Sequence, residues 1–147
     1  MKNPKWVDQY RETLNARSKA EAKLLKALTK QKIEAIQNHP VETFKEKWRF
    51  IDLYLPKFNI AIEVDDPSHN KRRMDDKFRT KAIKKRIHCK FLRYPTWRVL
   101  ENTADVVGHI IGMIALWNDP KEREALYRFR KEFQEIDSQF SMIARFG

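Results

Sequence analysis

Apolar residues recur with a helical period at the start of the chain, where Trp6, Val7, Tyr10 and Leu14 fall on one face. A second helix is expected from Ser18, because Ser18-Lys-Ala-Glu21 has the form of a capping box. Its apolar stripe is Leu24, Leu25, Leu28 and Ile36, and His39-Pro40 should end it. Period-two runs follow. Trp48–Leu55 and Asn59–Asp65 are rich in aromatic and aliphatic residues and read as two strands of a hairpin. A basic helix over about Asn70–Arg86 comes next, with Met74, Phe78 and Ala82 predicted on its inner face, then a third strand, Ile87–Tyr94. Asn102 or Thr103 caps a very apolar helix, Ala104–Trp117, and Asp119-Pro120 starts the last one.

That last helix, over 120–146, carries Leu126, Phe129, Phe133, Ile136, Phe140 and Ile143 in a heptad seam. Packing back on the same domain and pairing in a homodimer both satisfy such a seam. With no internal repeat, linker or low-complexity stretch, 1–147 reads as a single domain with a core over about 18–118.

A symmetric two- or four-residue connection sets the hairpin register. Leu55 then faces Ile60, Leu53 faces Ile62 and Ile51 faces Val64, giving one wholly aliphatic face. A slip by one residue would put acids on that face, and a buried face resists such a slip. The same register sets Asp52 opposite Glu63, with Cβ atoms roughly 5 Å apart, and Asp65 follows two positions along. Two facing acids repel, whereas a divalent cation between them turns the repulsion into affinity. Simple solvent exposure is the plainer explanation, but Phe50 and Tyr54 share that face. His69, just past the strand, is a candidate metal ligand or proton shuttle, and Asp75-Asp76 follows on the basic helix. Glu21 has a capping role by spacing, yet its place three residues before Leu24 also allows it to point at the sheet.

Charge sharpens this picture. The chain carries 31 Lys+Arg against 20 Asp+Glu, a net charge of +11. Twelve of the bases lie between Asn70 and Arg98 with only two acids, Asp75 and Asp76, so the excess is local. A phosphate-facing surface explains that concentration better than an ordinary solvated helix face. The bases expected on nucleic-acid phosphates are Lys71, Arg72, Arg73, Lys77, Arg79, Lys81, Lys84, Lys85 and Lys90. One cysteine excludes a disulfide framework or a multi-cysteine zinc site. No apolar run is long enough to span a bilayer, and the start lacks a signal-peptide pattern. The expected setting is therefore cytoplasmic.

In this order, AEAKLLKAL, FIDLYLP, IAIEVDDPSH, DDKFRTKAIKKR and CKFLRYPTWRVLEN resemble the PD-(D/E)XK nuclease superfamily. The narrower resemblance is to very-short-patch-repair-like endonucleases. These include small proteins with an "IEVDG…H…D…R" signature and phage homing endonucleases with an E-D-x-H-D constellation. The resemblance covers Ala20 to about Ile111. It implies an α/β restriction-endonuclease-like core: a central mixed sheet with an antiparallel hairpin, flanked by helices, and a long C-terminal helix. It also implies hydrolysis of DNA phosphodiesters with Mg²⁺ or Mn²⁺. Position by position, Glu21 matches the helix acid, Asp52 the hairpin aspartate and Glu63 the central-strand acid. His69 matches the loop histidine, and Asp76 with Arg79 the D..R pair. Asp52 and Glu63, with the Val64 carbonyl, would hold the metal. The catalytic set is Glu21, Asp52, Glu63, Asp65, His69 and Asp76. The superfamily's usual lysine is replaced by Asp65, with Lys90 as an alternative by strand parity, and Asp66 stands where relatives often carry Gly. Two other readings stay open: a structure-selective nuclease such as a dimeric junction resolvase, and a non-catalytic DNA-binding protein on the same fold.

Overall fold

The computed structural model describes residues 3–15, 18–66 and 73–118, with 121, 124 and 128 singly; at 73–76 it describes the backbone alone. The elements in order are α1 (Lys5–Asn15), α2 (Lys19–Lys30), β1 (Ile36–Phe44), β2 (Lys47–Leu55) and β3 (Ile60–Asp65). They continue with α3 (Arg73–Ile87), β4 (Lys90–Pro95), α4 (Thr96–Glu101) and α5 (Thr103–Asn118). Residues Met1–Gly108 form one compact unit and His109–Gly147 a second, with α5 crossing the boundary.

The N-terminus of α2 is capped as its sequence demands, the Ser18 hydroxyl accepting from the Glu21 N–H at 3.2 Å. Leu24 and Leu28 are fully buried. The helix does not run on to Ile36 as its apolar spacing suggested. Lys32 adopts a left-handed conformation with φ of 60°, which stops the helix, and Ile36 opens a strand instead. That strand, β1, holds Pro40 opposite Phe50. It lies at the sheet edge, where a missing N–H removes no ladder bond on the open side.

The four strands run in the order β1-β2-β3-β4. The first two pairs are antiparallel, while β3 and β4 are parallel and joined by α3, so the sheet is mixed. The hairpin register is the expected one: Leu53 faces Ile62, Tyr54 faces Ala61 and Leu55 faces Ile60. Both faces of β3 are covered, since Ile60, Ala61 and Ile62 are all at most 1% exposed. Ala61 clusters with Ile83 of α3, Val41, Ile51 and Cys89. Helices α2 and α4 pack on one another, and each also lies against the sheet. This is the α/β architecture of a mixed sheet flanked by helices that the chain was expected to form.

Three local expectations are corrected. Strand β4 begins at Lys90 because α3 persists to Ile87 and His88 turns the chain at φ of 55°. Asn59 clamps this corner, donating to the Ile87 carbonyl at 2.9 Å and accepting from the Lys90 N–H at 3.1 Å. Phe78 is 65% exposed, because the inward line of α3 runs through Ile83, one stripe away. In α1, Val7 is buried but Trp6 and Tyr10 remain about half exposed, Tyr10 resting on the Phe50 ring at 5.2 Å. Helix α4, which follows β4 directly, is an element that the apolar pattern did not predict.

The very apolar helix appears as α5. In the second unit, residues 121, 124 and 128 are helical, and Arg128 pairs with Glu124 at 3.3 Å. The heptad residues Leu126, Phe129, Phe133, Ile136, Phe140 and Ile143, and the expected Asp119-Pro120 start, lie outside the described residues. Among the described residues no helix is long and apolar enough to cross a membrane.

Candidate active site

Asp52 and Glu63 lie just beyond the last paired positions of the β2–β3 hairpin. Here the ladder gives way to a side-chain bond: the Val64 N–H donates to Asp52 Oδ2 at 2.9 Å. Asp52 is thereby fixed against β3 by the backbone next to Glu63. Its carboxylate lies within hydrogen-bonding reach of both Glu21 on α2 and Glu63. Three acids far apart in the chain therefore meet. Glu63 is 3% exposed and Glu21 8%. The inward orientation that spacing allowed for Glu21 is the observed one, and it coexists with the cap, since the backbone N–H serves Ser18 while the side chain reaches the sheet.

Confinement of negative charge has electrostatic consequences. Burial first, and the Asp52 charge second, push the Glu21 carboxyl up to about 8, against the opposing influence of Gln37 and Arg79. The fold therefore favours the protonated form of Glu21. Glu63 is raised well above the ordinary carboxyl range by the same two causes, and Arg79 counters them. Gln37 Nε2 makes a long contact of 3.5 Å with Glu21 Oε2.

Arg79 belongs by sequence to the phosphate-binding bases, but its guanidinium turns into the carboxylate cluster. Nη2 donates to Glu63 Oε1 at 2.8 Å and also to the Phe50 carbonyl. Other arginines of the basic run also have partners within the fold. Arg86 donates to the Glu42 carbonyl at 3.1 Å. Arg93 reaches Asp65 at 3.3 Å and donates to the Thr80 hydroxyl. Arg98 pairs with Asp105 at 2.9 Å and lies 5.4 Å from the Tyr94 ring centre. Lys77, Lys81, Lys84 and Lys85 of α3 are exposed instead, and Lys90 is half-buried. Among the described residues the run thus divides by residue type: rigid, multi-donor guanidinium groups bind acceptors of the fold, and the lysines of α3 are exposed.

Asp65 is held at the end of β3 by Arg93, while its backbone carbonyl accepts from Thr96 Oγ1 at 3.2 Å. His69, Lys71 and Arg72, and the side chains of Arg73 and Asp76, lie outside the described residues. Gln37 escapes a reading of the sequence alone, because its segment has the pattern of a helix end. Asn38 beside it is buried, has φ of 48°, and donates from Nδ2 to Asn15 Oδ1 at 2.8 Å.

Among the described residues, no group of three or more His, Cys, Asp and Glu side chains is arranged to hold a metal ion. A pair suffices for Mg²⁺, which takes one or two carboxylates and completes its octahedron with water and substrate oxygen. Asp52 and Glu63 meet that requirement chemically: both are hard oxygen donors, adjacent, and raised in energy by their mutual repulsion. A divalent charge would relieve it.

No curated protein matches the chain, and no solved structure does so either. A protein-family model does match, over residues 21–103, and it is described as "Restriction endonuclease PvuRts1 I-like, N-terminal". The matched segment opens on Glu21 and contains Asp52, Glu63 and Arg79, the four residues whose side chains form the cluster. The chain therefore belongs to the PvuRts1 I-like restriction endonuclease family, within the N-terminal region that this family defines.

Proposed function

We propose that the chain is a metal-dependent DNA endonuclease that hydrolyses phosphodiester bonds, of the very-short-patch-repair-like kind within restriction-endonuclease-like nucleases. The observation that carries this reading is the convergence of Glu21, Asp52 and Glu63, from a helix and two strands, around the Asp52 carboxylate. Asp52 and Glu63, with the Val64 carbonyl, would hold Mg²⁺ or Mn²⁺. The ion supplies Lewis-acid stabilisation of charge on the phosphate and lowers the pKa of bound water. Glu21, whose protonated form burial and the Asp52 charge favour, would offer a hydrogen-bond donor to Asp52. His69, between β3 and α3 in the chain, would activate the attacking water, with Asp76 or Glu21 setting its tautomer and orientation. The exposed lysines of α3 bind flanking phosphates of the DNA.

The test is supercoiled plasmid incubated with Mg²⁺ and with EDTA. Nicking or linearisation that EDTA abolishes and Asp52→Ala lacks is the expected outcome. Equal cutting by wild type and Asp52→Ala would overturn the site assignment.

A further inference from the structure

Glu63 is buried at 3% exposure, and its carboxyl group is met inside the fold by Arg79, whose Nη2 lies 2.8 Å from Oε1. The same nitrogen donates to the Phe50 carbonyl. The guanidinium is therefore held from two sides, by a backbone acceptor of β2 and a carboxylate of β3. Its charge acts on Glu21 as well as on Glu63, so it is a shared counter-ion of the carboxyl cluster. The Arg79 side chain is 18% exposed, which leaves part of it open to solvent.

With Asp52 and Glu63 as the metal-holding pair, the reading on which this inference rests, a divalent cation brings positive charge to the carboxylate that Arg79 already occupies. Like charges a few ångströms apart in a poorly solvated site repel strongly. We propose that Arg79 is a built-in placeholder for the metal's charge: uptake of the divalent cation and release of the guanidinium from Glu63 are one exchange. The Phe50 carbonyl keeps the released group beside the cluster, where its planar fork is suited to a phosphate oxygen of the DNA. Arg79 acts as a positioning residue in the metal-free protein and becomes a substrate contact once the metal is seated. Metal and DNA then favour one another's binding, and linkage makes that preference reciprocal.

The experiment is calorimetric titration of Mg²⁺ into the full chain as wild type, Arg79→Gln and Arg79→Lys, without DNA. With the competing cation removed, Arg79→Gln should bind Mg²⁺ about 10-fold more tightly, and Arg79→Lys, which keeps the charge, within about 3-fold of wild type. A merely structural arginine would give the opposite result, since its loss loosens the site. Affinity in Arg79→Gln equal to or weaker than wild type overturns the exchange. Should Arg79→Gln fail to fold, the wild-type arginine side-chain ¹⁵N spectrum answers the same question. The Arg79 Nε resonance, assigned by its loss in Arg79→Lys, should shift with the midpoint of Mg²⁺ binding; an unmoved resonance at saturation overturns the proposal. Absence of Mg²⁺ uptake by wild type removes the metal reading and the exchange together, whereas uptake with Arg79 indifferent removes the exchange alone.

Discussion

The Val64 N–H donates to the Asp52 carboxylate at 2.9 Å, so the hairpin ends on a side-chain bond and not on another rung of the ladder. This bond keeps Asp52 next to Glu63 in spite of their repulsion, and it couples function to stability. Asp52→Asn retains an acceptor for Val64 but removes a charge from the cluster. Its DNA cleavage should fall by roughly 100-fold or more, the scale expected when a charge-stabilising group is lost. Its metal-free melting temperature should rise by a few degrees, because Glu21 and Glu63 no longer face the Asp52 charge. Thermal unfolding with EDTA present checks the second half; a lower melting temperature would show that the repulsion is not felt.

Exposed lysines on α3 should govern DNA affinity through ion release. Replacing Lys81, Lys84 and Lys85 together by alanine should weaken binding at low salt. The slope of log affinity against log salt should become shallower by about 0.9 for each phosphate that is no longer neutralised. Fluorescence anisotropy of a labelled duplex across a salt series measures this. An unchanged slope would place the DNA on another face.

His39 stacks on Tyr54 with ring centroids 4.6 Å apart. Burial, and then the Arg11 charge, lower its pKa below the ordinary 6.5, so the fold favours the neutral ring. The unfolded chain takes up the proton first as pH falls. Stability from the neutral ring is therefore complete above about pH 6.5 and is lost as pH drops through the lower folded value. His39→Phe should flatten this part of the acid limb in urea titrations from pH 7 to 5. Parallel curves for the two proteins would refute the assignment.

Cys89 is 6% exposed, and burial pushes its thiol up to about 11. The native protein should therefore react very slowly with a disulfide reagent at pH 8, and the rate should rise sharply through the denaturant midpoint. Rapid labelling in the absence of denaturant would show that the cluster of Cys89 with Ala61 and Ile83 opens readily.

The hairpin was legible from the chain because a period-two aliphatic face admits a single register, and that register alone brings Asp52 towards Glu63. Strand β1 was not legible. Ile36 extends the helical spacing of Leu24 and Leu28, and Pro40 argues against a strand until the strand is known to be an edge. The roles within the basic run were equally hidden. Arg79 and Lys81 look alike as charges, and only the fold shows one guanidinium bound to Glu63 while the neighbouring ammonium faces water. Glu21 fell between: its capping form was visible, but its carboxyl reaches Asp52 only because α2 packs on the sheet.

If Asp52 and Glu63 hold a divalent cation, Mn²⁺ binding to the full chain, followed by electron paramagnetic resonance, should show one saturable site in wild type that is lost in folded Asp52→Asn and in folded Glu63→Gln. Undiminished Mn²⁺ binding by folded Asp52→Asn would contradict this reading.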